Sequence, residues 1–179
     1  RGVKVRQIRE ASEELRAAGM PLAGALRLAA LQIAAGDEAG PPALFAASLQ
    51  AHGHRPDWQG LRALVAAARA LMPRMVPSGE PVVQVGDRPA GFFIVHKGGV
   101  RLPSLQGITP MGVVVADAAF RRRRYRVDAF ADGQVVLLDL PQADAEALFE
   151  GCPIAARAFA LGPRAPRSSA PPLMIRRTG

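Results

Sequence analysis

A stretch rich in valine, phenylalanine and glycine, residues 76–102, limits the possible folds of this chain more than any other feature. A first β-branched run at residues 82–85 stops at Gly86-Asp87, and a second apolar run at residues 92–95 stops at Lys97-Gly98-Gly99. Glycine reverses the chain or takes a positive φ at little cost, so both stops are typical of turns. The pattern therefore predicts short antiparallel strands joined by tight turns.

Further strands are predicted on both sides of a central basic segment. Residues 100–102 alternate apolar and charged, residues 108–115 include a valine run, and residues 134–140 contain the run VVLLDL. Asp132-Gly133 is a typical hairpin turn and predicts a reversal just before the last of these strands.

Helices are predicted before and after the strands. The spacing of apolar residues indicates helices over residues 3–17, 21–35, 43–51, 58–72, 141–149 and 154–161. We expect Gly19 to end the first helix, Asp57 to cap the fourth and Pro73 to terminate it. Trp58 is predicted to pack the fourth helix on the strands.

The spacing G-E-x-V-x-x-x-G-D-x-x-x-x-x-F-I-V-x-x-G-x-V-x-L, from Gly79 to Leu102, resembles the front half of a cyclic-nucleotide-binding domain of the catabolite-activator type. The order of helix, strands and closing helices extends the resemblance over residues 57–161. It implies an α+β fold, an antiparallel β-roll or jelly roll with flanking helices, here preceded by an N-terminal helical hairpin. Another antiparallel jelly roll, such as a cupin-like barrel without metal ligands, stays open as the alternative.

The N-terminal helices have a second resemblance. The pattern L-R-x-x-G-x-P-L-x-x-A-L within residues 3–28 resembles the second half of a MerR-type DNA-binding domain, and it is also typical of helical hairpins in general. The resemblance implies that the recognition helix of that family would lie before Arg1.

Three segments are predicted along the chain. Residues 1–52 form an N-terminal helical part, residues 53–161 form the roll, and residues 162–179 form an extended basic tail without apolar periodicity. Residues 36–42, rich in glycine and proline, mark a break inside the first part.

The net charge of +8 is local. Five arginines stand within residues 121–126 and four within residues 164–179, while the other 14 basic residues are matched by 15 acidic ones. A single cysteine, Cys152, cannot form an intrachain disulfide and fits a reducing cytoplasm. There is no apolar run long enough to cross a membrane and no export leader, so we expect no membrane partner.

The resemblance also implies where a ligand would bind. In the family, a phosphate cassette uses an arginine and a helix N-terminus for the cyclic phosphate, and a glutamate for the ribose hydroxyl. Arg123 matches the arginine, and Tyr125 stands where the family has a small residue. The glutamate position falls either at Gly112-Val113, which lacks a carboxylate, or at Asp117, which requires a shorter loop.

The candidate ligand-binding residues are therefore Gly112, Asp117, Arg122, Arg123 and Tyr125. Because a valine cannot accept the ribose hydrogen bond and Tyr125 can fill the pocket, the sequence favours a degenerate roll, with no cofactor, over one that binds a cyclic nucleotide.

The arginine run is a second candidate site. Arg121, Arg122, Arg123, Arg124 and Arg126 could bind nucleic acid phosphates, a dinucleotide messenger or an acidic protein face. On an extended strand, alternate arginines lie on opposite faces, so about half would share one surface. The alternative is a solubilising edge that blocks aggregation.

Neither a catalytic nor a metal site is predicted. There is no nucleophile elbow, Walker loop or metal-ligand cluster, His52 and His54 are expected to be exposed loop residues, and Cys152 is expected to be buried. The sequence thus predicts a non-catalytic sensor or scaffold domain of a bacterial transcription regulator, as a dimer or with a protein partner. The alternative is a structural adaptor that docks through the arginine run.

Overall fold

The computed structural model describes residues 2–102, 108–109, 124–125 and 128–160. Four helices precede the strands: α1 (Gly2–Ala17), α2 (Leu22–Ala34), α3 (Gly40–Ala51) and α4 (Trp58–Ala70). The strands are β1 (Met72–Val76), β2 (Pro81–Val83), β3 (Gly91–Arg101), β4 (Ile108–Thr109) and β5 (Ala129–Pro141), and they are followed by α5 (Gln142–Gly151) and α6 (Pro153–Ala160).

All strand pairs in the described part of the chain are antiparallel. The sheet has the order β1-β5-β3-β4, and β2 also pairs with β5. Strand β5 is therefore the centre of the sheet, and its longest partner is β3. The predicted α+β class, an antiparallel roll with flanking helices behind an N-terminal helical hairpin, is confirmed.

Strands β3 and β5 are buried on both faces, which explains their nearly continuous apolar sequence. Phe92 and Ile94 of β3 lie in a cluster with the helices, whereas Phe93 and Val95 lie in the interior of the roll. In β5 the same alternation sends Leu138 and Leu140 to the helices and Val135 and Leu137 to the roll. The β3–β5 pair is thus the wall between two cores.

The helices form one layer on the outer face of this wall. Helix α2 packs on α1, α3 and α4, and α4 packs on α5. The apolar cluster of this layer includes Ala11 of α1 and Phe159 of α6, so it contains side chains from both sides of the predicted boundary at residue 52. The division into three segments stays a prediction.

The local end signals of two helices behave as the sequence predicts. Gly19 follows α1 with a φ of 79°, the left-handed conformation that favours glycine. Asp57 caps α4, because its carboxylate accepts a hydrogen bond of 2.6 Å from the backbone N–H of Gly60.

The predicted turn at Lys97-Gly98-Gly99 is wrong. Strand β3 continues through it, with register shifts against β5 on both sides of Lys97. These shifts are β-bulges, and Gly98 has a φ of 80° with its Cα close enough to the neighbouring strand that a Cβ would lie 2.6 Å from the Gln134 carbonyl oxygen. The glycine is required by the bulge and does not reverse the chain.

The predicted hairpin turn at Asp132-Gly133 is wrong for a related reason. Strand β5 runs without interruption from Ala129 to Pro141, and Asp132 pairs with Gly99 across the bulge. The positive φ of Gly133, 74°, is accommodated within the strand.

Strand β1 was not predicted. Helix α4 ends at Ala70, before the predicted end at Pro73. Pro73 lies inside β1, opposite Leu138. Proline is tolerated in an edge strand, where its missing N–H costs no ladder hydrogen bond.

Trp58 does not pack α4 onto the strands, because it is 71% exposed. The layer is held instead by Leu64, Ala67 and Ala68 of the same helix, which are buried. No helix in the described ranges is both long and apolar enough to cross a membrane.

Candidate functional site

Most of the predicted site residues lie outside the described residues. This holds for Gly112, Asp117, Arg121, Arg122, Arg123 and Arg126. Arg124 and Tyr125 are described, and they show how the end of the arginine run meets the roll.

Tyr125 is anchored by its backbone and buried by its side chain. Its N–H donates to the Asp87 carbonyl and its own carbonyl accepts from the Gly86 N–H, both at 2.9 Å. Its ring is 8% exposed and belongs to the apolar cluster of the roll, together with Val83 and Phe93. Tyr125 thus occupies the interior of the roll.

Arg124 has the opposite orientation. Its side chain is exposed, and its Nη1 donates a hydrogen bond of 2.6 Å to the Gly86 carbonyl oxygen. Arg124 thus lies at the surface and Tyr125 in the interior, and the alternation of arginines along the rest of the run stays a prediction.

A cavity of about 410 Å³ lies beside Tyr125, where β1, β2 and the start of β3 meet. Its polar lining consists of Arg74, Asp87, Arg88, Tyr125 and Asp139. Its apolar wall includes Val82, Val83 and Phe93, which are buried in the roll core. The cavity combines an apolar wall with charged groups, the usual composition of a small-molecule site.

The strand register places Arg74 and Asp139 side by side. Arg74 is opposite Leu137 in the β1–β5 pairing, so Asp139, two residues along, is its diagonal neighbour on the same face. The guanidinium donates two hydrogen bonds to the carboxylate, Nε to Oδ2 at 2.6 Å and Nη2 to Oδ1 at 3.1 Å. The guanidinium carbon also lies 6.0 Å from the centroid of the Phe93 ring.

These charges surround the Tyr125 side chain. Burial raises the pKa of Tyr125, Arg74 opposes that shift, and the Asp139 and Asp87 carboxylates add to it. The hydroxyl therefore stays protonated well above neutral pH and can donate a hydrogen bond into the cavity.

A second polar cluster lies on the other face of β3, against the helices. Arg27 of α2 donates from Nε to Nδ1 of His96 at 2.9 Å and from Nη1 to Oε2 of Glu14 at 2.6 Å. We call Glu14, Arg27 and His96 the interlayer triad, because it connects α1, α2 and β3. His96 lies at the bulge of β3, between Val95 and Lys97.

The interlayer triad requires a neutral histidine. Since Nδ1 accepts the hydrogen bond from Arg27, the ring proton must be on Nε2. Burial, then the positive charges of Arg27 and Lys97, lower the pKa of His96 to about 4, against the opposing effect of Glu14. His96 is therefore uncharged at neutral pH.

Sequence reasoning missed the cavity and the interlayer triad, although signals were present. Asp139 is the only charge in the apolar run VVLLDL, Arg27 is the only charge in α2, and His96 follows four buried residues. A charged group in an otherwise apolar element needs a partner, and only the strand register shows which one it has.

The structure also describes His52, His54 and Cys152. His52 and His54 are exposed and Cys152 is buried, as expected. Burial raises the pKa of the Cys152 thiol, which disfavours the reactive thiolate. Within the described ranges, no three His, Cys, Asp or Glu residues are grouped in a way that could hold a metal ion.

Comparisons with known proteins give similarity only at the level of structure. No family model matches the sequence, and no curated protein matches it. Similar solved structures include the catabolite activator protein of Thermus thermophilus, with 23% identity and a TM-score of 0.48 over 55% of this chain and 51% of that one.

Two others have TM-scores of 0.47. A protein of Geobacter metallireducens described as cyclic-nucleotide-binding shares 17% identity, over 55% of this chain and 76% of that one. The regulatory domain of Toxoplasma gondii PKA, solved with cAMP, shares 17% identity over 54% of this chain and 41% of that one.

These similarities are of fold alone, and none of them supports the resemblance to a MerR-type domain. The chain spans about half the length of the Thermus protein. The ligands named for these proteins are ligands of those proteins.

Proposed function

We propose that this chain is a non-catalytic regulatory domain, a sensor or scaffold of a cytoplasmic bacterial regulator that acts as a dimer or with a protein partner. The roll in this proposal is degenerate and does not bind a cyclic mononucleotide. The β3–β5 wall supports a regulatory role. Alternate side chains of these two strands pack in the roll and against the helices, so a change inside the roll would also shift the side chains on the helical face.

The observation that carries the proposal is the buried position of Tyr125. Its ring is packed in the roll core and its backbone is fixed to the Gly86-Asp87 turn by two hydrogen bonds. A cyclic nucleotide would have to displace a packed aromatic side chain, and moving it into water loses about 1.5–3 kcal/mol of burial energy. This cost favours a scaffold.

A calorimetric titration tests this proposal. Cyclic AMP, cyclic GMP and cyclic di-GMP are added to the purified chain at about 150 mM salt, near physiological ionic strength. We expect no saturable heat with any of the three. Saturable one-site binding that is lost in Arg123→Ala, and kept in Arg62→Ala on the exposed face of α4, would overturn the proposal.

A second candidate function is an adaptor that docks on an acidic protein or a nucleic acid through the arginine run. The exposure of Arg124 beside the buried Tyr125 favours it, since Arg124 then carries its charge on the outer face. It predicts that binding to duplex DNA or polyglutamate weakens steeply with salt, and that Arg121→Ala/Arg124→Ala reduces the affinity at least tenfold. Arg164→Ala/Arg167→Ala, which removes the same charge from the tail, is the matched control.

A further inference from the structure

The cavity beside Tyr125 has the size and lining of a binding site, and Tyr125 is the described residue that it shares with the predicted ligand-binding residues. Its volume of about 410 Å³ falls in the range of roughly 300–1,000 Å³ that is common for small-molecule pockets. Two arginines and two aspartates line it, so its described charged residues sum to zero. A doubly charged phosphate would find no excess positive charge there.

The four charged groups are not equivalent. Arg74 and Asp139 satisfy each other through two parallel hydrogen bonds. Asp87 and Arg88, which follow one another at the mouth, form no ion pair with another described residue, and both are exposed. The cavity therefore offers a ligand one carboxylate and one guanidinium, from two lining residues that are adjacent in sequence.

The interior of the cavity selects for an apolar group. Val82, Val83 and Phe93 form the wall, and their other sides are packed in the roll core. Tyr125 also lines the cavity, and its protonated hydroxyl can donate a hydrogen bond. A ligand that matches all three parts carries a negative group and a positive group at one end and an apolar group at the other.

We propose that this cavity binds a zwitterionic α-amino acid with an apolar side chain. The carboxylate pairs with Arg88 and accepts from the Tyr125 hydroxyl, the ammonium group pairs with Asp87, and the side chain lies along Val82, Val83 and Phe93. Each charged contact is charge-assisted and contributes more than a neutral hydrogen bond. The proposal is independent of cyclic-nucleotide binding, because neither Asp117 nor Arg123 takes part.

Titration calorimetry with phenylalanine and two of its analogues tests the ligand class. Phenethylamine lacks the carboxylate and 3-phenylpropanoate lacks the ammonium group. We expect saturable binding of phenylalanine, and at least about tenfold weaker binding of each analogue. Absence of binding for phenylalanine and for leucine up to about 10 mM, or equal affinity for phenylalanine and 3-phenylpropanoate, overturns the proposal.

Variants at the mouth test the assignment of the two charges. Arg88→Ala should weaken the binding of phenylalanine and 3-phenylpropanoate at least about tenfold and leave the binding of phenethylamine unchanged. Asp87→Asn should weaken the binding of phenethylamine and leave the binding of 3-phenylpropanoate unchanged. Tyr125→Phe, which keeps the buried ring, should weaken only the ligands with a carboxylate. Arg62→Ala, an exposed arginine of α4 away from the cavity, is the matched control.

The result with these variants is decisive in either direction. Equal losses in Arg88→Ala and Arg62→Ala would show that the effect is general electrostatics, and no loss in either Arg88→Ala or Asp87→Asn would show that the ligand binds elsewhere. Both outcomes overturn the proposal. Since Asp87 and Arg88 are exposed, their variants are expected to keep the unfolding temperature of the parent chain.

Discussion

The two faces of the β3–β5 wall are built from the same strands and yet differ in what they enclose. On the helical face, Phe92 stacks with Phe149 at 5.9 Å and lies 5.3 Å from Phe159, and the space is closed by leucines. On the roll face, the core consists of valines and alanines with Phe93, Tyr125 and Leu137, and the cavity lies at its margin. One face is a closed core that stabilises the fold, and the other has room for a ligand.

The charged groups follow the same division. In the interlayer triad Arg27 is enclosed, with its side chain 12% exposed, whereas its partner Glu14 is 45% exposed. The Arg74–Asp139 pair on the roll face borders the cavity, with side chains 41% and 34% exposed. An enclosed charge must be fully hydrogen-bonded, whereas a bordering pair can exchange one partner for water or a ligand at small cost.

The largest loss of stability is expected from truncating a buried residue of β3, and one such residue is compared on each face of the wall. Phe92→Ala should lower the free energy of unfolding by about 3–5 kcal/mol, because it removes a fully buried ring and leaves a cavity among leucines. Val95→Ala, at an equally buried position of the same strand, should cost about 2 kcal/mol, since it removes less volume. Urea denaturation of both variants measures the difference.

Equal costs for the two variants would contradict the expectation that the loss of stability follows the buried volume removed. The midpoints can be compared only if the free energy of unfolding has the same slope against urea concentration in both variants. A different slope in one variant would show that the substitution altered its unfolded or native ensemble.

Acidification should weaken the link between the helices and the sheet. The pKa of His96 is about 4 in the folded chain against 6.5 for a free histidine, so the unfolded state binds a proton more readily. The stability due to the neutral histidine is complete above pH 6.5 and is lost as the pH falls from 6.5 to 4. That shift corresponds to a loss of at most about 3 kcal/mol.

Unfolding measured at a series of pH values between 7 and 4 checks this expectation. His96→Gln should flatten the part of the profile that begins below pH 6.5, whereas His54→Gln, in an exposed loop, should leave it unchanged. An unchanged profile in His96→Gln would mean that burial and the charges of Arg27 and Lys97 do not hold the ring neutral.

The parts of the fold that depend on neighbours in sequence were predictable. The apolar spacing of α1 and α2, the cap at Asp57 and the positive φ at Gly19 are all local, and the structure agrees with them. The apolar runs of β3 and β5 were also predicted as strands. Local signals were sufficient wherever the decisive contacts lie within a few residues.

The errors occur where distant pairing decides. Gly98 and Gly133 have the positive φ that a turn requires, but the long β3–β5 pairing continues through both as bulges and keeps the strands whole. At the site, Tyr125 was predicted, whereas Arg74 and Asp139 are 65 residues apart and meet only through the β1–β5 register. A single sequence does not carry that register, so the cavity could not be found before the fold.

The smallest effect is expected for the Arg74–Asp139 pair, and it completes the contrast with the interlayer triad. Because both side chains are about a third or more exposed, a double-mutant cycle of Arg74→Ala and Asp139→Ala should give a coupling energy of at most about 1 kcal/mol. The coupling should also decrease with added salt, since exposed charges are screened. Glu14→Ala combined with Arg27→Ala is the comparison, in which Arg27 is enclosed and its loss leaves His96 without a donor. A coupling at the roll face as large as that at the helical face would mean that the cavity margin is as closed as the helical core, and a ligand could then not enter beside Phe93 without breaking the pair.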